Sequence, residues 1–248
     1  MMKKHSRYVF GAALASAALG VPGLINKAHA ALTTNADFTF ENLGGSSAST
    51  SITAASVGPF AAEIGTGSAF GVHALATSVY STPAGNGSAK SFSSNGWAIG
   101  DYYQFSVPTT GIQGIILSFD QGSSSTGPHS FNLLYSSDAG GSFQTFGSYA
   151  VISSVTSTNS VGSVTTNFSG GTSPNPIFSQ LFDLSSITAL DNNAGDIFRL
   201  VDLVSVASAG TDRIDNVVVA GSAVPEPATL SLLTISAAGL LLRKRSAK

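Results

Sequence analysis

The chain has 248 residues, a formal net charge of −2, 10% charged residues and no cysteine. Those figures exclude thiol chemistry and disulfide stapling, and eleven Lys and Arg against thirteen acids offer no basic surface for nucleic acid. Gly is abundant at 27, which suits strands and turns better than helices.

In chain order, residues 1–30 read as a secretory signal peptide. Lys3, Lys4 and Arg7 form a positive start, residues 8–21 an apolar run, and Ala28-His29-Ala30 a small-x-small cleavage site. Cleavage is expected after Ala30. Residues 37–41 (DFTFE) alternate and predict the first strand. Residues 44–58 are small and polar, a loop or weak edge strand, and residues 77–95, with the turn cluster PAGNG at 83–87, predict the longest loop. Clear strands follow at 101–107 (DYYQFSV), 114–120 (GIILSFD) and 131–135, with another at 142–146. Residues 151–168 suggest an irregular strand pair. Strands at 178–184, 197–206 and 213–219 complete an all-β body with no helical period, which points to a jelly-roll β-sandwich over 31–221.

The tail, residues 222–248, has three parts. Pro225-Glu226-Pro227 is stiff and extended, because each proline fixes its own φ and Pro227 keeps Glu226 out of the helical region. Residues 229–242 are uncharged and apolar, and Arg243, Lys244, Arg245 and Lys248 end the chain. The run is short beside the ~20 residues of a typical span, but counted from Pro225 it is long enough for a transmembrane helix in a thin bilayer. The basic end would hold its own side in the cytoplasm and leave the body outside. This tripartite tail resembles the PEP-CTERM sorting signal of bacterial surface proteins. The resemblance implies an exosortase as processing partner, transient anchoring in the inner membrane, export to the envelope, surface or extracellular matrix, and association with exopolysaccharide and biofilm.

With leader and tail set aside, residues 31–224 keep only Lys90, Arg199 and Arg213 against twelve carboxylates, a net charge of −9. Such a body repels nucleic acid and suits divalent cations. The series GDYYQFSV, ILSFDQGSSSTGPHSFNLLYSSDAGGSF, FDLSSITALDNN, IFRLVDL and TDRIDNVVVAG resembles secreted bacterial jelly-roll modules, similar in build to carbohydrate-binding jelly rolls. That resemblance implies a structural calcium shared by an acid after the first strand and one on the last, here Glu41 and Asp215. Calcium asks for six to eight oxygens, and Asp215 could instead pair with Arg213 or cap a turn.

Catalytic machinery is sparse. His73 and His129 are the only histidines of the body, lie in no metal motif, and are expected in exposed loops. No G-x-S-x-G elbow occurs. No catalytic-looking acid cluster is visible, and the aspartates read as at strand ends beside Gly, Asn or Ser, such as Asp101, Asp138, Asp191 and Asp196, are expected as solvated turn residues rather than a glycosidase pair. Residues 136–143 (SSDAGGSF) fit the Asp-box hairpin, a structural turn. Trp97 and Tyr102 are the candidates for stacking on a sugar, with Tyr103 expected in the core. The reading is an exported, non-catalytic surface protein, with a glycan-binding module, or a glycan hydrolase, as the alternative.

Overall fold

The structure, a computed structural model, describes residues 31–43, 52–153, 155–159, 162–168 and 173–225. The leader, the sorting residues from Glu226 onward and the apolar run 229–242 lie outside the described residues. Sixteen strands follow in chain order: β1 (Leu32–Phe38), β2 (Ile52–Thr53), β3 (Ser56–Ala61), β4 (Ile64–Gly65), β5 (Ser68–Val72), β6 (Val79–Ser81), β7 (Phe92–Asn95), β8 (Tyr102–Ser106), β9 (Ile112–Ser123), β10 (Ser130–Ser136), β11 (Gln144–Ala150), β12 (Val155–Asn159), β13 (Gly162–Thr166), β14 (Ser179–Asp183), β15 (Ile197–Asp202) and β16 (Thr211–Ala223). The only helical turns among the described residues are 3-10 turns at Pro176–Phe178 and Thr188–Leu190.

All pairing is antiparallel, in two sheets and one separate hairpin, β12–β13. The eight-stranded sheet runs β14-β9-β16-β7-β6-β2, with β1 on β16 and β4 on β1. The six-stranded sheet runs β11-β10-β15-β8-β5-β3. The spine is β16. One edge pairs with β9 along almost its whole length, while the other pairs with β7 from Thr211 to Ile214 and with β1 from Val217 to Ser222. The opening strand thus lies against the end of the closing one, Leu32 opposite Ser222.

Side-chain alternation explains the core. On β8, Tyr103, Phe105 and the following Val107 face inward; on β9, Ile115, Leu117 and Phe119; on β10, Phe131 and Leu133; on β15, Phe198 and Leu200. Each inward set recurs at every second residue, as a strand buried on one face requires. On β16 the phase slips at a bulge. Asp212 and Ile214 point inward, Asn216 takes φ 50°, and Val217 and Val219 resume the inward row.

The predicted strands at 101–107, 114–120, 131–135, 178–184, 197–206 and 213–219 appear with shifted ends, and the pair expected within 151–168 is the β12–β13 hairpin. The strand expected at 142–146 starts later, after the Asp-box turn. The first strand ends at Phe38 instead of running to Glu41, because Phe40 adopts φ 58° and turns the chain. The long loop expected at 77–95 is a correction. It holds β6 and β7, whose Tyr80 and Phe92 are buried and lie 5.8 Å apart as stacked rings. Small serines on either side hide this apolar content from composition.

Candidate functional site

The sorting handle leaves the fold without a spacer. Ser222 and Ala223 still pair with Gln113 and Ile112, and the Val224 N–H donates to the Gly111 carbonyl at 2.9 Å. Pro225, the next residue, is exposed. Glu226, Pro227, Arg243, Lys244 and Arg245 lie outside the described residues.

The two aromatic candidates are not brought together. Trp97 is only 3% exposed. Its ring lies against His73, Tyr103 and Phe131, and its Nε1–H donates to the Ser94 carbonyl at 3.0 Å. It is a core residue, not a sugar platform. Tyr102 is on the outer face of the six-stranded sheet, where the Arg199 guanidinium sits 4.3 Å from its ring centre and 3.8 Å from that of Phe143. Arg199 Nε also donates to Gln104 Oε1 at 2.8 Å. This aromatic–cation–aromatic stack is the outward-facing polar cluster that sequence reading half found, through Tyr102 alone. Arg199 and Phe143 were missed because they lie 97 and 41 residues further along the chain.

His73 is a second correction. It is 4% exposed, not a loop residue. Its Nδ1 lies 3.1 Å from Asp101 Oδ2 and its Nε2 3.1 Å from Ser94 Oγ. Burial holds the imidazole below its ordinary pKa against the pull of Asp101, so the neutral ring donates to the carboxylate and accepts from the serine. A Ser–His–Asp relay has this connectivity. Here Ser94 is 1% exposed and enclosed by Trp97 and Tyr103, so no substrate carbonyl reaches its hydroxyl. His129 is half-buried, with Nδ1 3.2 Å from the Val151 carbonyl.

Glu41 and Asp215 hold opposite ends of one loop. Glu41 Oε1 accepts the Lys90 N–H at 2.9 Å, and Asp215 Oδ2 accepts from the Asn86 N–H at 2.9 Å and Ser88 Oγ at 2.5 Å. The Lys90 ammonium donates to the Glu41 and Leu43 carbonyls at 2.9 and 2.8 Å, oxygens that a calcium ion would need. Among the described residues no three His, Asp or Glu side chains gather round a common point. The residues present therefore do not fit a shared calcium: protein donors join the two acids. Asp215 makes no ion pair with Arg213 either. Gly85 lets this loop approach, since a Cβ there would come within 2.1 Å of Asp215 Oδ2.

The aspartates are not solvated turn residues as a class. Asp101, Asp120, Asp196, Asp202, Asp212 and Asp215 are all buried. Burial pushes Asp196 and Asp215 up to about 7 and Asp202 up to about 6. Asp212 sits in an oriented relay. Tyr149 donates to Gln121 Oε1 at 2.7 Å, Gln121 Nε2 donates to Asp212 Oδ1 at 2.9 Å, and Ser123 Oγ lies 3.1 Å from Asp212 Oδ2 but 2.5 Å from the Pro128 carbonyl. The Ser123 hydroxyl thus has two acceptors in reach, and burial raises the Asp212 carboxyl well above the usual range against the bonds from Gln121 and Ser123. In the Asp-box turn, by contrast, hydrogen bonds from Ser136 and Ser142 bring exposed Asp138 down to about 2. That turn is structural, as expected.

Comparison with known proteins places a PEP-CTERM protein-sorting motif on residues 223–246. Proteins with this motif are exosortase substrates, exported and sorted to the cell surface. Among solved structures, the sandwich is similar to the K3 cleaved adhesin domain of Lys-gingipain from Porphyromonas gingivalis w83, at 12% identity and TM-score 0.40, over 77% of this chain and 99% of that one. The K2 cleaved adhesin domain of Lys-gingipain matches at 11% identity and TM-score 0.33, over 54% and 73% of the two chains. A search of curated proteins finds no match.

Proposed function

We propose that this chain, sorted through its PEP-CTERM tail, is a non-catalytic jelly-roll protein of the cell envelope or extracellular matrix that associates with exopolysaccharide. The observation that carries the reading is the sorting motif at 223–246, which begins while the last strand is still paired. The passage of the chain from β5 in the six-stranded sheet to β6 and β7 in the eight-stranded sheet and back to β8 supports the jelly-roll topology. The non-catalytic part is supported by the enclosure of Ser94, His73 and Asp101 and by the burial of most aspartates. In this reading the leader is cut after Ala30, the apolar run 229–242 anchors the precursor in the inner membrane, and an exosortase releases or transfers the body.

The test is to replace Pro225, Glu226 and Pro227 with alanine and follow the protein in its native host. The expected result is a longer, membrane-held precursor and loss of the surface form. Unchanged processing and surface yield would overturn the reading. The alternative, a module that binds a specific glycan, is favoured by the outward-facing stack of Tyr102, Arg199 and Phe143. Retention on the host polysaccharide that is lost in Tyr102→Ala would select it.

A further inference from the structure

The body has three cations, and the structure occupies two of them. Lys90 is held by the Glu41 and Leu43 carbonyls, and Arg199 by Gln104 and two aromatic rings. Arg213 is different. It is half-buried on the outer face of the eight-stranded sheet, and among the described residues no carbonyl, carboxylate or hydroxyl accepts a hydrogen bond from its guanidinium. The carboxylates nearest in the strand pattern are engaged elsewhere. Asp120 accepts from Ser179 Oγ at 2.5 Å and Asn216 Nδ2 at 2.8 Å, and Asp215 accepts from Asn86, Ser88 and Asn216. Asp212 points into the core, where its carboxyl is engaged by Gln121 and Ser123. Partly desolvating a guanidinium without an acceptor costs free energy that a bound anion would return.

Arg213 lines a polar cleft of about 170 Å³ with Gly122, Ser123, Ser124, Asn167, Phe168 and Thr211. Gly122 is opposite Arg213 across the β9–β16 ladder. It has no Cβ, and one placed there would meet the Phe168 ring at 2.5 Å, so the glycine lets that ring close down beside the guanidinium. The cleft thus sets a planar five-donor fork beside an apolar ring, two hydroxyls (Ser124 and Thr211) and the exposed amide of Asn167. It is smaller than the roughly 300–1,000 Å³ of drug-sized pockets, a size for one residue and not for a chain. A guanidinium pairs with a carboxylate through two parallel hydrogen bonds, and the ring, hydroxyls and amide suit the polyhydroxylated body of a sugar.

We propose that the Arg213 cleft binds the carboxylate of an acidic sugar, a uronate residue of an extracellular polysaccharide. Arg213 stands ten residues before Ala223 on β16, which at ~3.3 Å per residue is about 33 Å from the sorting tail. The cleft therefore opens at the pole away from the attachment point, where an external polymer can reach it. The proposal rests on the reading of an exported chain only in that the chain must meet polysaccharide.

Calorimetric titration of the full chain with sodium glucuronate tests it, with glucose, inorganic phosphate and inorganic sulfate as matched probes. Saturable glucuronate binding is expected, at least tenfold tighter than glucose and weakened by salt. Arg213→Gln should lose at least tenfold, Arg213→Lys several-fold because an ammonium lacks the two-pronged geometry, and Asn167→Ala a few-fold. Arg213→Lys and Asn167→Ala keep the test open if Arg213→Gln does not fold. No glucuronate binding, equal binding of glucose, or a folded Arg213→Gln that binds as the parent does would overturn the proposal. Phosphate or sulfate bound as tightly as glucuronate would overturn the sugar assignment, leaving a bare oxyanion site. These titrations involve no sorting step, so they can fail while the alanine tail experiment succeeds, and the reverse.

Discussion

Replacing Asp212 with asparagine should raise the stability of the folded body at neutral pH. The reasoning starts from burial: Asp212 is fully enclosed, bonded to Gln121 and Ser123, and its carboxyl is raised well above the usual range. A buried aspartate that keeps its proton has a folded-state pKa raised above the unfolded value. Its stabilisation is then complete below the unfolded value and is lost as pH rises toward the folded one. At pH 7, above the ~3.9 of an unfolded aspartate, keeping that proton opposes folding. Asparagine supplies the same acceptor to Gln121 and an N–H to Ser123 without any proton to hold. It also brings a second N–H with no acceptor in the relay, at a cost of about 1–3 kcal/mol. The net expectation at pH 7 is a higher Tm, roughly 2–4 °C for each ~1 kcal/mol gained in a domain of this size. At pH 4 the gain should vanish or reverse. Thermal melts of parent and variant at both pH values measure it. A variant that is clearly less stable at pH 7, with the parent's pH dependence unchanged, would refute the proton assignment.

Stability of the parent should fall between about pH 4 and pH 7, because burial raises Asp196, Asp202 and Asp215 to about 7, 6 and 7, and each raised group loses its contribution as pH climbs from the unfolded value near ~3.9 to the folded one; denaturant midpoints across that range are the measurement. Asp215→Asn should destabilise at neutral pH where Asp212→Asn does not, since both Asp215 oxygens accept backbone N–H groups and an amide would turn a donor onto one of them. Chelator should leave the melting midpoint unmoved, while Lys90→Met should lower it, at a cost of about 2 kcal/mol in stability for the charge-assisted bonds to the Glu41 and Leu43 carbonyls. Gly85→Ala should cost about 1–3 kcal/mol by forcing the loop off Asp215, read from the same melts.

Legibility in the sequence followed chemistry that is local. Strands β8, β9 and β10 were readable because large apolar residues recur at every second position over a short run. Strands β6 and β7 were not, since Tyr80 and Phe92 each stand alone among serines, and Ser91, Ser93 and Ser94 are buried although their composition reads as loop. The tail was readable as a contiguous order of proline, apolar run and cations. The side-chain clusters were not contiguous. His73 meets Asp101 and Ser94 across 28 and 21 residues, and Tyr102 meets Arg199 across 97. Glu41 and Asp215 were picked out as a pair and do share a loop, but the cation on the Glu41 side is the ammonium of Lys90, on the Glu41 and Leu43 carbonyls, which carried no local sign of that role. Arg213 looked like a partner for Asp215 two residues on, and only the loop from Gly85 to Lys90 shows that Asp215 is already engaged.

The pairing of Leu32 with Ser222 has a consequence for timing. An exported chain crosses the membrane from its amino end, so β1 arrives first and β16 last. The opening strand finds its partner only when nearly the whole body is across, and the residues that complete that ladder directly precede Pro225. Until then the central sheet lacks its spine, since β1, β7 and β9 all wait for the same strand. Closure of the fold and arrival of the sorting signal are therefore one event, and a chain truncated before β16 would reach the outside with three strand edges open to aggregation.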